Sequence, residues 1–190
     1  MNRKENSDNH TLHTPWTLWY HSPRSKINEQ NYKAFFTKVK SFSTIEDFWR
    51  LFNNVRSPSA LPIGTTYYLM KDGIRPEWED PKCVNGGEMV FSFAKKARQE
   101  ADQWWIFSCM MCIGESFIGL DDNICGCTVA NRKNMIRISF WLASDEDELV
   151  NRLEEQCKST FEILSAGSTL FKFDFRSFKA NLSKIGKVDE

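Results

Sequence analysis

The fold is decided by residues 65–94, TTYYLMKDGIRPEWEDPKCVNGGEMVFSFA, which contain two predicted strands and the long loop that joins them. Residues 65–71 are rich in β-branched and aromatic side chains and end at the turn Lys71-Asp72-Gly73, while residues 88–94 alternate in polarity. The loop contains two prolines and a pair of glycines, which interrupt regular structure. This succession favours strands joined by turns in an antiparallel sheet.

The segments on either side of this stretch repeat strand and helix patterns. Further strands are predicted at residues 15–22, 125–132, 135–143 and 169–175. Helices are predicted at residues 43–55, 101–113 and 144–158. Most of the strand connections are hairpin-like. The economical architecture is an α+β fold, in which one curved antiparallel sheet carries three helices on one face and leaves the other face partly open.

The first helix has a predicted cap and two distinct faces. The Ser43 hydroxyl can accept a hydrogen bond from a free backbone N–H, and Glu46, three residues later, completes a capping box. At about 100° per residue the apolar side chains form one stripe. The stripe consists of Phe48, Leu51, Phe52 and Val55. Trp49 falls about 110° from the centre of that stripe, beside Ile45, so this pair is either a partner surface or ordinary packing.

Composition indicates one domain whose nucleic-acid contacts are short and local. The 190 residues are 41% apolar, which is enough for one sizeable core. The 25 basic residues are balanced by 25 acidic ones, whereas a protein that grips a long nucleic-acid backbone carries a basic excess. Seven Trp residues are present. Either they all fill the core, or a few line an open site as stacking surfaces.

Targeting signals and cysteine usage indicate a cytoplasmic protein. The first ten residues, MNRKENSDNH, are polar and charged, so they do not form a secretory signal peptide. No run of eighteen apolar residues could cross a membrane. The six cysteines therefore indicate reduced thiols. Cys109, Cys112, Cys125 and Cys127 are interpreted as buried thiols, with a four-thiolate zinc site as the alternative.

Catalytic signatures are missing from the sequence. The three histidines are His10, His13 and His21, and none is placed as a base beside a nucleophile. A glycine-rich phosphate loop, a nucleophile elbow and an HExxH motif are all absent. The sequence therefore predicts a binding protein without enzymatic activity, cofactor or metal.

What stands out instead is a set of aromatic, acidic and basic side chains on predicted loops and strands. The set consists of Tyr32, Trp78, Glu79, Arg132, Lys133 and Arg137. A guanine methylated at N7 is positively charged, so two electron-rich rings can stack on it with an added cation–π attraction. A carboxylate can accept from the guanine N1–H and N2–H, while Arg and Lys hold the attached phosphates. The alternative is that Trp78 anchors its loop and Glu79 is a surface acid.

Six segments together resemble the eukaryotic cap-binding initiation factor 4E family. They are HTLHTPWTLWY (10–20), SFSTIEDFWRLFNNV (41–55), YYLMKDGIRPEWEDPK (67–82), Gly86-Gly87, MCIGESF (111–117) and ICG (124–126). They occur in the family's order and spacing, and the resemblance covers roughly residues 10 to 176. It implies a cupped-hand cap-binding fold, with three helices on the convex face of the sheet, and a function in translation initiation.

The resemblance also implies roles in cap binding. Trp78 and Tyr32 would stack on the methylated guanine, Glu79 would accept from its N–H groups, and Trp141 would lie near the N7 methyl group. The phosphate contacts would come from Arg132, Lys133 and Arg137. Relatives usually carry Trp at the position of Tyr32, so weaker binding is expected. Glu88 stands where relatives often carry a basic residue, and it would repel a triphosphate unless it points away.

A partner surface is implied on the convex side. A helix of a scaffold protein or repressor would dock on His10, Ile45, Trp49, Ile106 and Met110. Phe107 replaces a side chain that offers relatives' partners a hydrogen-bond acceptor, which favours an altered or narrower choice of partner. The predicted partners are therefore capped messenger RNA and a scaffold protein or repressor that bears a short docking helix, with no membrane.

The sequence leaves three functions open. The first is a cap-binding subunit that recruits messenger RNA for translation initiation through a scaffold helix. The second is a cap-binding repressor, or a specialised variant with altered scaffold binding. The third is an interaction module that has lost the cap. In each case residues 1–13 are predicted as a disordered lead, residues 14–180 as the cap-binding domain and residues 181–190 as a C-terminal tail.

Overall fold

The computed structural model describes residues 9–22, 32–165 and 171–179. Its strands are β1 (Thr11–His21), β2 (Phe36–Thr44), β3 (Thr66–Lys71), β4 (Gly87–Ala94), β5 (Ile124–Asn131), β6 (Met135–Leu142) and β7 (Asp174–Ser177). Its α-helices are α1 (Ile45–Phe52), α2 (Arg98–Ile113) and α3 (Asp147–Leu164). None of the helices in the described ranges is long and apolar enough to cross a membrane.

The strands form one antiparallel sheet in the order β2-β1-β3-β5-β6-β4-β7. In the β1–β3 pair Trp19 lies opposite Tyr68, and in the β4–β6 pair Glu88 lies opposite Trp141. Side chains directly opposite each other project from the same face of a sheet. The predicted α+β fold, with one curved antiparallel sheet and three helices, is confirmed.

The main core lies between the sheet and the three helices. The sheet residues that are fully buried there include Leu18 and Phe140. Each helix contributes large aromatic side chains, Phe48 from α1, Trp104 from α2 and Phe161 from α3. The ring centroids of Trp104 and Phe161 lie 4.3 Å apart. Because the helices cover this convex face, the opposite, concave face of the sheet is the one that can hold a ligand.

The prediction misses β2 and misplaces several element ends. Phe42 is the only buried side chain of the nine residues of β2, so this edge strand lacks the apolar alternation that marks a half-buried strand. β1 begins at Thr11, so the disordered lead predicted for residues 1–13 extends too far into the chain. α3 continues six residues beyond the predicted end at Lys158, to Leu164. β7 lies further along the chain than the strand predicted at residues 169–175.

The start of α1 also differs from the prediction. Its N-cap is Thr44 instead of Ser43, and the Thr44 hydroxyl accepts from the Asp47 N–H at 3.1 Å. The Glu46 carboxylate accepts from the His10 N–H at 3.1 Å and lies 2.7 Å from His10 Nδ1. The reason is the pairing of β1 with the end of β2, which brings the beginning of β1 next to the helix.

The six cysteines are buried free thiols. The Sγ atoms of Cys109 and Cys127 lie 3.9 Å apart, and burial raises the pKa of the Cys109 thiol to about 11. Burial also holds the pKa values of Cys112 and Cys127 well above their ordinary value. No cluster of three or more His, Cys, Asp or Glu suited to a metal ion occurs among the described residues. Cys109, Cys112, Cys125 and Cys127, the four cysteines considered as zinc ligands, are thus buried thiols in this structure.

Candidate functional site

The loop between β3 and β4 carries Trp78 and Glu79, and one buried carboxylate holds it. Asp80 is buried, and its two oxygens accept from the backbone N–H groups of Arg75 at 3.0 Å and Lys82 at 2.9 Å. These bonds fix the backbone on both sides of the Trp-Glu pair. Sequence reasoning missed Asp80, although an Asp that can bond the N–H two residues later is a known turn signal.

Trp78 and Trp141 meet in a second apolar cluster, the concave cluster. Its buried members are Met70, Ile74, Cys83, Cys125, Trp141 and Phe178. Trp78 is half-buried against them. Trp141 is only 6% exposed, and its ring centroid lies 4.7 Å from that of Phe178. Two residues predicted to contact the methylated guanine are therefore brought to the same side of the sheet.

Close approach of three chain segments places Phe178 in the concave cluster. Its N–H donates to the Gly86 carbonyl oxygen at 2.9 Å. A Cβ atom on Gly86 would lie 1.7 Å from the Leu142 carbonyl oxygen, and one on Gly87 would lie 2.5 Å from the Arg176 carbonyl oxygen. The glycine pair is thus needed because any side chain would separate the loop from β6 and β7.

The segments that carry Tyr32 and Trp78 meet through Lys33. The Lys33 Nζ lies 2.9 Å from Glu77 Oε2 and 3.6 Å from Glu79 Oε1. Glu77 and Glu79 flank Trp78 directly in the chain. Tyr32 begins the 3-10 turn Tyr32–Phe35, and its side chain lies outside what the structure describes. The turn that begins at Tyr32 and the loop that carries Trp78 are therefore joined through the charged side chains of Lys33, Glu77 and Glu79.

The predicted phosphate ligands differ in how firmly they are held. Arg132 is half-buried, and its guanidinium donates to the Thr65 carbonyl oxygen at 3.0 Å and to the Thr66 hydroxyl at 3.1 Å. Burial, together with the charge of Arg137, lowers the pKa of Arg132 from its ordinary value. Arg137 is half-buried on β6, whereas Lys133 is exposed in the β5–β6 turn. Arg132 is thus fixed by hydrogen bonds, whereas Lys133 is surrounded by solvent.

Glu88 faces this site. It lies opposite Trp141 in the sheet, and its Oε2 accepts from the Ser139 hydroxyl at 2.9 Å. The Ser139 hydroxyl is itself 2.8 Å from that of Thr128. The negative charge of Glu88 also acts on Arg132, where it opposes the lowering of the pKa. The acid that the sequence marked as a departure therefore lies among the residues predicted to receive phosphates.

The predicted partner surface begins at the first turn of α1. The His10 carbonyl oxygen accepts from the Ile45 N–H at 2.9 Å. Ile45 and Trp49 are 41% and 38% exposed, whereas Phe48 is fully buried. The Trp49 ring packs edge-on against Phe48, with the ring centroids 5.0 Å apart. The structure thus places His10, Ile45 and Trp49 together on one end of the convex face.

The other two predicted partner residues lie on α2. Ile106 and Met110 are both half-buried, one turn apart. α1 and α2 meet where the rings of Phe52 and Trp105 stack at 6.2 Å, and Ile106 lines a small cavity at this contact. Phe107 is half-buried and packs against the main core. The two helices therefore share a contact beside which Ile106 is accessible.

Known proteins are similar to this chain in sequence and in fold. The family model of eukaryotic initiation factor 4E matches residues 11–188. The chain belongs to the eukaryotic initiation factor 4E family. The family resemblance carried by the six sequence segments is thereby confirmed.

Two curated 4E relatives show the extent of the match. Factor 4E-1 of Hordeum vulgare is 37% identical over 139 residues, which cover 73% of this chain and 63% of the relative. Factor 4E of Dictyostelium discoideum is 39% identical over 160 residues, which cover 84% of this chain and 63% of the relative. This 4E-family chain therefore spans less than two thirds of the length of these relatives.

Two solved 4E structures share the architecture. Ascaris suum eIF4E-3, in complex with an m2,2,7G cap, has a TM-score of 0.75 and 35% identity, covering 82% of this chain and 86% of that one. C. elegans eIF4E-3, in complex with the 4E-binding protein Mextli and a cap analog, has a TM-score of 0.80 and 31% identity, covering 92% and 96%. The cupped-hand fold is confirmed for this 4E-family chain.

Proposed function

We propose that this 4E-family protein binds the 7-methylguanosine 5′ cap of messenger RNA and recruits the RNA for translation initiation through a scaffold-protein helix. One observation carries the proposal. The loop fixed by Asp80 sets Trp78 against the concave cluster with Trp141, and it holds Glu79 beside Trp78. An aromatic face and a carboxylate are thus presented together.

Each group has a distinct task in the proposed complex. The Trp78 and Tyr32 rings stack on the charged base, because cation–π attraction favours an N7-methylated guanine over an unmethylated one. Glu79 accepts from the guanine N1–H and N2–H, and Trp141 contributes at the N7 methyl group. Arg132, Lys133 and Arg137 hold the phosphates. Solved structures of A. suum eIF4E-3 with a cap and C. elegans eIF4E-3 with a cap analog support cap binding as the function.

The convex surface is the proposed binding site for the scaffold-protein helix. Trp49 is a large aromatic that is only partly buried, and such residues dominate the energy of helix-in-groove contacts. Ile45 and Ile106 extend the apolar area on either side. C. elegans eIF4E-3 has been solved with the 4E-binding protein Mextli, which supports a protein partner. The protein acts in this scheme by binding alone, in the cytoplasm, and not as an enzyme.

Capture on immobilised 7-methylguanosine triphosphate tests the proposal. We expect retention on the resin and elution by free 7-methylguanosine triphosphate but not by GTP. Failure to bind, or equal elution by both nucleotides, contradicts cap binding.

The acceptor role is tested with Glu79→Gln, with Glu155→Gln on the exposed surface of α3 as the matched control. A site built to accept hydrogen bonds discriminates strongly against a ligand that lacks the donors. Glu79→Gln should therefore reduce the preference for guanine over adenine caps. Equal losses for both bases contradict the role of Glu79.

A further inference from the structure

We propose that Lys33 is a positioning residue of the cap site: its ammonium joins the carboxylates of Glu77 and Glu79 and fixes the turn Tyr32–Phe35 against the Trp78 loop. We name these three residues the Lys33 link. The inference rests on the proposed function, because its consequence is the placement of groups that contact the cap. The family resemblance assigns no role to Lys33 or Glu77.

The geometry of the link is uneven, and the shorter contact is with the buried acid. Lys33 Nζ lies 2.9 Å from Glu77 Oε2, a charge-assisted hydrogen-bond distance, but 3.6 Å from Glu79 Oε1. The side chain of Glu77 is 7% exposed, whereas that of Glu79 is 31% exposed. Glu77 is therefore the anchor of the link, and Glu79 is its more exposed member.

Glu77 needs the cations around it. A carboxylate removed from water is costly unless it is paired and hydrogen-bonded. Glu77 Oε1 pairs with the Arg75 guanidinium at 2.6 Å, and Oε2 pairs with Lys33. The hydrogen bond to Glu77 also raises the pKa of Lys33, so the ammonium stays charged at neutral pH. The burial of the Glu77 carboxylate therefore favours both of its ion pairs, with Arg75 and with Lys33.

The other end of the link is fixed by the sheet. Lys33 lies in the turn that leads directly into β2, where the Phe36 ring packs on Tyr68 with centroids 5.5 Å apart. The Ser22 N–H donates to the Phe35 carbonyl oxygen at 3.4 Å. The turn is therefore held at its end by β1 and β3 and near its beginning by the Lys33 link. Loss of the link releases the end that carries Tyr32.

The link also acts on the acceptor of the site. Lys33 Nζ lies 3.6 Å from Glu79 Oε1, so its positive charge favours an orientation of the carboxylate toward the turn Tyr32–Phe35. Trp78 lies between the two acids in the chain. The Lys33 ammonium therefore interacts with the residue on each side of Trp78, the proposed stacking ring.

Hydrogen exchange in the ligand-free protein tests the link without reference to the cap. The variants are Lys33→Gln, Glu77→Gln and the double variant, with Lys38→Gln on the exposed surface of β2 as the control for charge. We expect the backbone amides of residues 32–36, 75 and 77–80 to exchange about three- to tenfold faster in Lys33→Gln than in wild type, and no faster in the double variant than in Lys33→Gln. Lys33→Arg should restore slow exchange, because a guanidinium can bridge two carboxylates. Exchange in Lys33→Gln equal to that in Lys38→Gln overturns the link.

Titration of the same variants with 7-methylguanosine triphosphate tests the functional consequence. We expect Lys33→Gln to bind about three- to tenfold more weakly than wild type and Lys33→Arg to recover most of the affinity. Unchanged affinity with faster exchange shows a link that does not position the site, and it overturns the proposal. A wild-type protein that does not bind the nucleotide overturns the proposed function instead, while the exchange experiment still decides whether the link exists.

Discussion

The concave and convex faces position their exposed residues by different means. On the convex face, α1 sets Ile45 and Trp49 in place because Phe48 is buried in the core beneath them. On the concave face, Trp78 and Glu79 lie on a loop that is fixed by the buried Asp80 carboxylate. A surface set by helix packing is altered only when the core is altered, whereas a loop set by polar contacts can shift while the fold stays intact.

The two faces also differ in charge. The concave face combines the cations Arg132 and Arg137 with the acid Glu88, and Lys33 lies beside Glu77 and Glu79. On the convex face, the predicted partner surface exposes the apolar side chains of Ile45 and Trp49. Salt and pH should therefore change ligand binding at the concave face more than partner binding at the convex face. The following variants separate the two faces.

The largest effect is expected at the convex face. Trp49→Ala should weaken binding of a scaffold-type docking helix by about 2–4 kcal/mol, because a large aromatic at the centre of such a contact dominates its energy. Cap affinity should not change. Ile163→Ala, which truncates an exposed side chain of α3, is the control. Calorimetric titration with the peptide gives the result, and a Trp49→Ala protein that binds the peptide normally would place the partner elsewhere.

The reverse variant is Trp78→Ala. It should remove about 1–3 kcal/mol of stacking with the base and leave docking-helix binding intact. Because Trp78 is half-buried against the concave cluster, thermal unfolding should be measured on the same sample. If this variant binds the cap as well as wild type does, Trp78 is only a loop anchor. If it loses both ligands, the two faces are not independent.

The variant Glu88→Arg tests how the charge of the concave face affects cap binding. Replacement of an acid that faces the proposed phosphate site by a base should tighten binding of 7-methylguanosine triphosphate about three- to tenfold at low ionic strength. The gain should shrink as salt is added. Glu155→Arg makes the same charge change on the exposed surface of α3 and should have little effect. Identical affinities for Glu88→Arg and wild type at low salt would show that the phosphates lie away from Glu88.

A smaller effect is expected where β7 is tied to the chain before α3. Asp145 lies 2.7 Å from Lys179 Nζ and accepts from the Ser177 hydroxyl at 2.7 Å. The hydrogen bond from Lys179 lowers the pKa of Asp145 below its ordinary value of 3.8. A lowered carboxyl pKa stabilises the folded state fully above the unfolded pKa, and this contribution is lost as the pH falls through the folded value.

Comparison of wild type with Asp145→Asn isolates that contribution. The difference in Tm should be constant above about pH 5 and should vanish only as the pH falls through the lowered pKa of the folded state. Asp122→Asn, at an exposed position, controls for the loss of one charge. A difference that grows on acidification would mean that the pKa of Asp145 is not lowered.

The sequence predicts those parts of the fold that bury a regular apolar pattern. The Phe48 and Leu51 stripe of α1 and the alternation of β4 both reflect one face turned to the core, so periodicity finds them. β2 is missed because its side chains are mostly exposed. The cap at Ser43 is wrong because the pairing of β1 with β2, a contact distant in sequence, decides where Glu46 points.

The residues of the candidate site were named from their side-chain chemistry and from the family motifs, but their arrangement in space was not. Motif residues such as Trp78 and Trp141 can be named from the chain, but their packing in one cluster needs the sheet order. The Lys33 link cannot be predicted from the sequence, because Lys33 and Glu77 are far apart in the chain and neither lies in a strand or an α-helix. The orientation of Glu88 follows only from its register opposite Trp141.

The most direct measurement is a Trp-fluorescence titration of the wild-type protein with 7-methylguanosine triphosphate, with GTP as the control ligand. We expect saturable quenching by the methylated nucleotide alone, because a charged base stacked on Trp78 quenches its emission, and loss of that quenching in Trp78→Ala. Absence of quenching, or equal quenching by GTP, would contradict cap binding and leave the convex face as the functional surface.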